Sequence, residues 1–168
     1  AARNFCNKLW NIARFSEGML DGKEASSAHA KPITPADHWM LSKLQHTTDA
    51  VVSHLENYRM SEAYEAIYHF VWDDLADWYI ETSKRELNPN LLQYIIEASL
   101  KLAHPFAPFV TETIWQTMAN DKETMLISQQ WPEVIKYDDK LAAEFEEIIT
   151  IVTETRAIIA ALQLEKAT

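Results

Sequence analysis

Asn4, Lys8, Asn11 and Phe15 stand three or four residues apart near the start of the chain, the spacing that sets side chains on one stripe of a helix. Two amides, an ammonium and an aromatic ring suit unpaired RNA: bases stack on the ring, amides read base edges, and lysine meets phosphate. At ~100° per residue, Phe5, Leu9, Ile12 and Ser16 form the neighbouring stripe and should point into a core, leaving Phe15 at its margin. The residues by themselves favour a blander arrangement, with Phe15 half-buried and Asn4, Lys8 and Asn11 merely solvated. A third face carries Arg3, Asn7, Trp10 and Arg14. There Trp10 is expected to pack, and Arg14 to pair with a carboxylate of the third helix such as Asp77, orienting two helices without reading any base.

Other candidate chemistry is weaker. Acids and tryptophans concentrate at Trp72, Asp73, Asp77, Trp78 and Glu81, which fits helix packing better than a site. Glu65, His69 and Asp73 lie four apart on one face, but carboxylate-bridged metal sites in bundles need paired Glu-x-x-His motifs, so no metal is expected. His104, confined by Pro105 near a helix end, is expected to satisfy terminal carbonyls or pack. With no triad, phosphate loop or cysteine nucleophile, no catalytic residue and no cofactor are assigned.

The net charge of −10 over 168 residues argues against binding nucleic acid by bulk electrostatics, which needs clustered Lys and Arg. The charge is uneven. Residues 1–60 hold seven basic and six acidic side chains, whereas 61–168 hold eight and nineteen, so RNA contact should favour the N-terminal part. The single cysteine, Cys6, cannot form an internal disulfide, and no signal peptide is visible. Charges such as Glu97 and Lys101 interrupt every long apolar stretch, so no membrane span is expected; a soluble, cytoplasmic protein fits.

The elements that would position these residues are helices. Only two glycines occur, too few for the turns of a β-rich fold. A first helix runs to about Leu20 and starts without a capping residue, which reads as a cut inside a longer protein; residues 21–33 form a flexible loop. Thr34-Pro35-Ala36-Asp37 offers an N-cap, a proline at the first helical position and an acid at the third, opening a helix to about Tyr58. Ser61 caps a third helix to about Leu87, ended by Asn88-Pro89. A fourth covers Asn90 to Ala103, and a short fifth Val110 to Met118. Residues 121–137 read as irregular. Asp138 caps a last helix whose stripe is Leu141, Phe145, Ile148, Ile149, Val152, Ile158, Ile159 and Leu162. The expectation is one all-α domain over 1–168, a bundle of five or six helices.

Four segments taken together resemble a known family. They are Arg3-Asn4-Phe5-Cys6-Asn7-Lys8-Leu9-Trp10-Asn11 with Arg14-Phe15; Ala36-Asp37-His38-Trp39-Met40-Leu41-Ser42; Phe70-Val71-Trp72-Asp73-Asp74 with Asp77-Trp78-Tyr79-Ile80-Glu81; and His104-Pro105-Phe106-Ala107-Pro108-Phe109-Val110-Thr111-Glu112. Their order and spacing resemble the anticodon-binding domain of valyl-tRNA synthetases, class I enzymes related to the isoleucyl, leucyl and methionyl synthetases. The first and third segments favour valine over its isoleucine and methionine cousins, and the likeness covers nearly the whole chain. The resemblance implies a helical domain that holds the anticodon stem-loop of tRNA(Val) as a monomeric partner of a catalytic domain in the same chain. It places Lys8 and Phe15 against the anticodon, with Phe15 stacking; Asn11 joins them by its place between the two, and Asn4 by the stripe it shares with them. ATP with magnesium is implied for the parent enzyme only, since the HIGH and KMSKS signatures are missing here; Arg59-Met60-Ser61 merely resembles part of the second. One departure stands out: the family's last helix often carries two arginines three residues apart, and here Arg156 is followed by Ile159, so no tRNA role is assigned to that helix. A rival reading, an acidic helical module that binds proteins through aromatic surface, draws its support from the net charge.

Overall fold

A computed structural model describes residues 2–118 and 124–162 of the chain. Among them the architecture is all-α, without strands: α1 (Ala2–Leu20), α2 (Pro35–Glu56), α3 (60–83), α4 (Pro89–Ala103), α5 (Pro108–Met118) and α6 (Asp139–Ala161), with short 3-10 turns at Ser27–His29 and Leu126–Ser128. The hydrophobic core runs through all six helices, and α4 is its most completely buried member, with Leu91, Leu92, Ile95, Ile96, Leu100 and Leu102 all enclosed.

Local chemistry explains three of the helix starts. Thr34 and Asp37 close a reciprocal capping box on α2 behind Pro35, which satisfies N–H groups no helical carbonyl can reach. Asn88 caps α4 by accepting from the Leu91 N–H, with Pro89 at the first helical position, and Asp138 caps α6. The expected cap at Ser61 is not used. Tyr58 turns into the left-handed region at φ 59°, the Arg59 N–H bonds back to His54, and α3 starts at Met60 without a side-chain cap.

Helix α3 is α-helical over Met60–His69, π-helical over Phe70–Tyr79 and α-helical again over Ile80–Ser83, ending before the expected Leu87. Its buried residues give the reason. Ala63, Ile67, Val71, Leu75, Tyr79 and Ser83 are all enclosed and recur every four residues. In an α-helix at ~100° per residue, each step of four overshoots the turn by ~40°, so such a stripe would wind roughly 200° away from the core by Ser83. The wider i→i+5 turn, seen where Ile80 donates to the carbonyl of Leu75, keeps the stripe facing inward.

A buried polar hub locks this frame. Asp37, 3% exposed, accepts from the Tyr79 hydroxyl (2.8 Å), the Asn88 amide (2.8 Å) and the backbone N–H of Ile33 (3.0 Å) and Thr34 (3.2 Å). A buried carboxylate is stable only when so thoroughly bonded. Burial, with Asp37 beside it, pushes the Tyr79 hydroxyl well above its ordinary range. The 21–33 connection, read as flexible, is tied to this hub at Ile33; Asn88 also donates to the Lys31 carbonyl, and Ser26 N–H donates to the Asn90 side chain. Of the stretch read as irregular, 124–137 carries only the turn at Leu126–Ser128; 121–123 lie outside the described residues. Along α6 only Ala142 and Phe145 are buried, while Ile148, Ile158, Ile159 and Leu162 of the expected stripe are exposed.

Candidate nucleic-acid interface

Helices α1 and α3 run side by side in the same sense, and the seam between them collects aromatic rings and cations. At its lower end Phe5 packs 5.4 Å from Tyr64 and 6.0 Å from Tyr68, and Tyr68 stacks on Trp72 at 5.3 Å. In the middle, Lys8 Nζ lies 4.5 Å over the Trp72 ring and donates to Asp77 Oδ1 at 3.3 Å. At the upper end Lys84 Nζ lies 5.0 Å over the ring of Phe15. Cation and ring quadrupole attract in each case.

The π-helical stretch makes the middle of the seam. Trp72 and Asp77 are five residues apart, which in an α-helix would set them ~140° from one another. With i→i+5 bonding, positions five apart come nearly over one another, so a single lysine from α1 can touch both.

Of the four stripe residues, Asn4 and Asn11 are exposed, and among the described residues neither side chain is hydrogen-bonded. Phe15 is 43% exposed, with the Lys84 ammonium over its ring. Lys8 is the least available of the four, its side chain 22% exposed and engaged by Asp77 and Trp72. The adjoining stripe is the core face, as read: Phe5, Leu9, Ile12 and Ser16 are all buried. The expected Arg14–Asp77 pair is replaced by Lys8–Asp77; among the described residues Arg14 has no ion pair, because it sits on the opposite flank of α1 from α3, beside Glu17, Thr117 and Met118. Trp10, expected to pack, is 39% exposed. Lys84 was missed altogether, since no wheel of one helix shows a cation delivered from another.

A second cluster of the same residue types joins α2 to α6. Trp39 Nε1 donates to Glu146 Oε2 at 2.6 Å, Lys43 Nζ lies 3.0 Å from the same oxygen and 5.4 Å from the Trp39 ring, and Phe145 packs edge-on against that ring. Partial burial alone would raise Glu146, but the Trp39 and Lys43 bonds hold it below the ordinary carboxylate range. Asp74 on α3 faces this pair. Burial pushes its carboxyl up to about 6 against the pull of Lys43, with Glu146 and Asp73 adding to the rise and His69 opposing it. Elsewhere His69 Nδ1 lies 2.8 Å from Asp73 and His104 Nδ1 lies 2.9 Å from Thr111 Oγ1, the latter a packing role at the helix end.

Residues 37–168 match the family described as the anticodon-binding domain of tRNA ligase. The chain belongs to that family. Helix α1 precedes the matched range, but relatives extend the likeness across it. A valine–tRNA ligase of Thermotoga maritima is 36% identical over 177 aligned positions that take in 99% of this chain. Those of Listeria innocua and Geobacillus kaustophilus are 35% and 33% identical over 92% and 94% of it. The chain spans only 19–20% of the length of these relatives, so the anticodon-binding domain is a fragment on their scale. Among its described residues, no helix is long and apolar enough to cross a membrane.

Proposed function

We propose that this anticodon-binding domain holds the anticodon stem-loop of tRNA(Val) along the α1/α3 seam, with Phe15 as the stacking platform, Lys8 as a phosphate contact, and Asn4 and Asn11 reading base edges. The observation that carries the reading is the open ring of Phe15 at the end of a seam lined by two lysines, in a chain whose overall charge is strongly negative. Local cations placed beside an exposed ring do what net charge cannot: they bring an unpaired strand to one surface and leave the rest of the protein repulsive to it. In the longer parent, valine activation with ATP and magnesium belongs to a catalytic region outside this chain. The domain's share is positioning, since binding energy gained far from the reacting atoms orients the acceptor end and discriminates between tRNAs. A monomeric, cytoplasmic enzyme accords with this role.

Replacing Phe15 by Ala tests the reading. The 168-residue chain should lose about 1–3 kcal/mol of affinity for the tRNA(Val) anticodon stem-loop, the usual cost of one base–aromatic stack, with little change in melting temperature. Unchanged affinity in a stable variant would overturn it. The rival reading, a protein-binding module suggested by the net charge, gains the exposed apolar side chains of Phe109, Met125 and Ile127 and differs in salt response: RNA binding weakens as ionic strength rises, whereas an apolar interface hardly changes.

A further inference from the structure

Among the described residues three surface rings carry a cation: Trp72 under Lys8, Trp78 under Arg156 and Phe15 under Lys84. Only the last joins a strongly exposed ring to a strongly exposed cation. The Lys84 side chain is 42% exposed, and its ammonium sits 5.0 Å from the ring centre while also lying 2.6 Å from Glu81 Oε1. Lys84 follows directly on the last turn of α3, so its anchor is rigid and its flexible stem alone decides where the charge goes.

A ring face can hold a cation or a stacked base, but not both. We propose that Lys84 is a phosphate-binding residue of the same RNA site and the placeholder for its stacked base. In the free chain its ammonium covers Phe15. When RNA docks, a base takes that ring face and the ammonium swings to the phosphate beside the stacked nucleotide, exchanging the Glu81 carboxylate for a phosphate oxygen. The ligand class is a single-stranded nucleotide with a flanking phosphodiester. The exchange is easy because the Lys84–Glu81 pair is exposed on both sides, and such pairs are weakly held. The lysine's own ring contact stops apolar surface from standing bare when no RNA is bound.

This proposal rests on the RNA reading of the seam, and the two can fail separately. The test measures affinity of the 168-residue chain for the tRNA(Val) anticodon stem-loop across a salt series, for the parent sequence, Lys84→Gln, Phe15→Ala and, as a charge control beside His38 and the start of α6, Lys136→Gln. Lys84→Gln should weaken binding several-fold at low salt and flatten the slope of log affinity against log salt by about 0.7, the value for one phosphate contact on a single strand. Phe15→Ala should weaken binding with the slope intact, and Lys136→Gln should move neither. If Lys84→Gln matches Lys136→Gln while Phe15→Ala still weakens binding, Lys84 has no phosphate role and the seam reading survives. If Phe15→Ala has no effect either, both fall together.

Discussion

Two clusters in this molecule use the same three residue types, a tryptophan, a lysine and a carboxylate, and they differ in what surrounds them. At the α2/α6 contact, Trp39 is 2% exposed, its indole N–H donates to Glu146, and Lys43 bonds the same oxygen. Every strong donor there is used within the protein. On the α1/α3 seam, Lys8 covers a half-buried Trp72 and pairs with an exposed Asp77, and among the described residues nothing accepts from the Trp72 indole. Identical chemistry is thus closed in one place and open in the other. The difference lies in the ring: the Trp39 indole is buried, so losing Glu146 strands its N–H, although the Lys43–Glu146 ion pair is itself partly exposed; the half-buried Trp72 face on the seam is free to be exchanged for a ligand.

The comparison breaks most visibly at the tryptophans. Trp39→Ala should destabilise the domain by about 3–5 kcal/mol, the range for a large aromatic lost from a core. Trp72→Ala, which loses a surface stack on Tyr68, should cost about 0.5–1.5 kcal/mol. Equal shifts in urea-unfolding midpoints would show that the two sites are not closed and open versions of one arrangement.

Titration sharpens it next. The folded pKa of Asp74, about 6, stands above its ordinary 3.8, so the folded state binds that proton more tightly than the unfolded chain does. Its contribution to stability is therefore present at low pH and lost as pH rises from about 4 through 6, by on the order of 2–3 kcal/mol at ~1.4 kcal/mol per unit. Subtracting the stability curve of Asp74→Asn from that of the parent isolates this slope from the opposite one that Glu146 gives at lower pH. A flat difference between pH 4 and 7 would mean that Asp74 is solvated and the α2/α6 cluster less closed than described.

The smallest effects separate the lysines. Lys8→Gln and Lys43→Gln each remove one partly exposed ion pair and one ring contact, worth about 0.5–1 kcal/mol of stability. Only Lys8→Gln should also weaken RNA binding, an effect that fades at high salt. Were Lys43→Gln to weaken it as much, the seam would have no special standing.

Patterns confined to one helix were legible in the residues themselves. The Thr34–Asp37 capping box, the prolines opening α2 and α4, and the core stripe of Phe5, Leu9, Ile12 and Ser16 depend on neighbours within a turn or so, and local geometry decides them. So does the placing of Asn4, Lys8, Asn11 and Phe15 on one face. The four-residue repeat from Ala63 to Ser83 was also written in the chain, but a wheel fixed at the α-helical angle cannot display it, so the π-helical stretch went unread. What the tertiary structure alone decided is which cation meets which ring. Lys8 rather than Arg14 takes Asp77, and Lys84 reaches Phe15 across 69 residues of sequence, because such pairings depend on the relative height of two helices. That height follows from the packing of the whole core and from the widened turn of α3, and no short stretch of sequence records it.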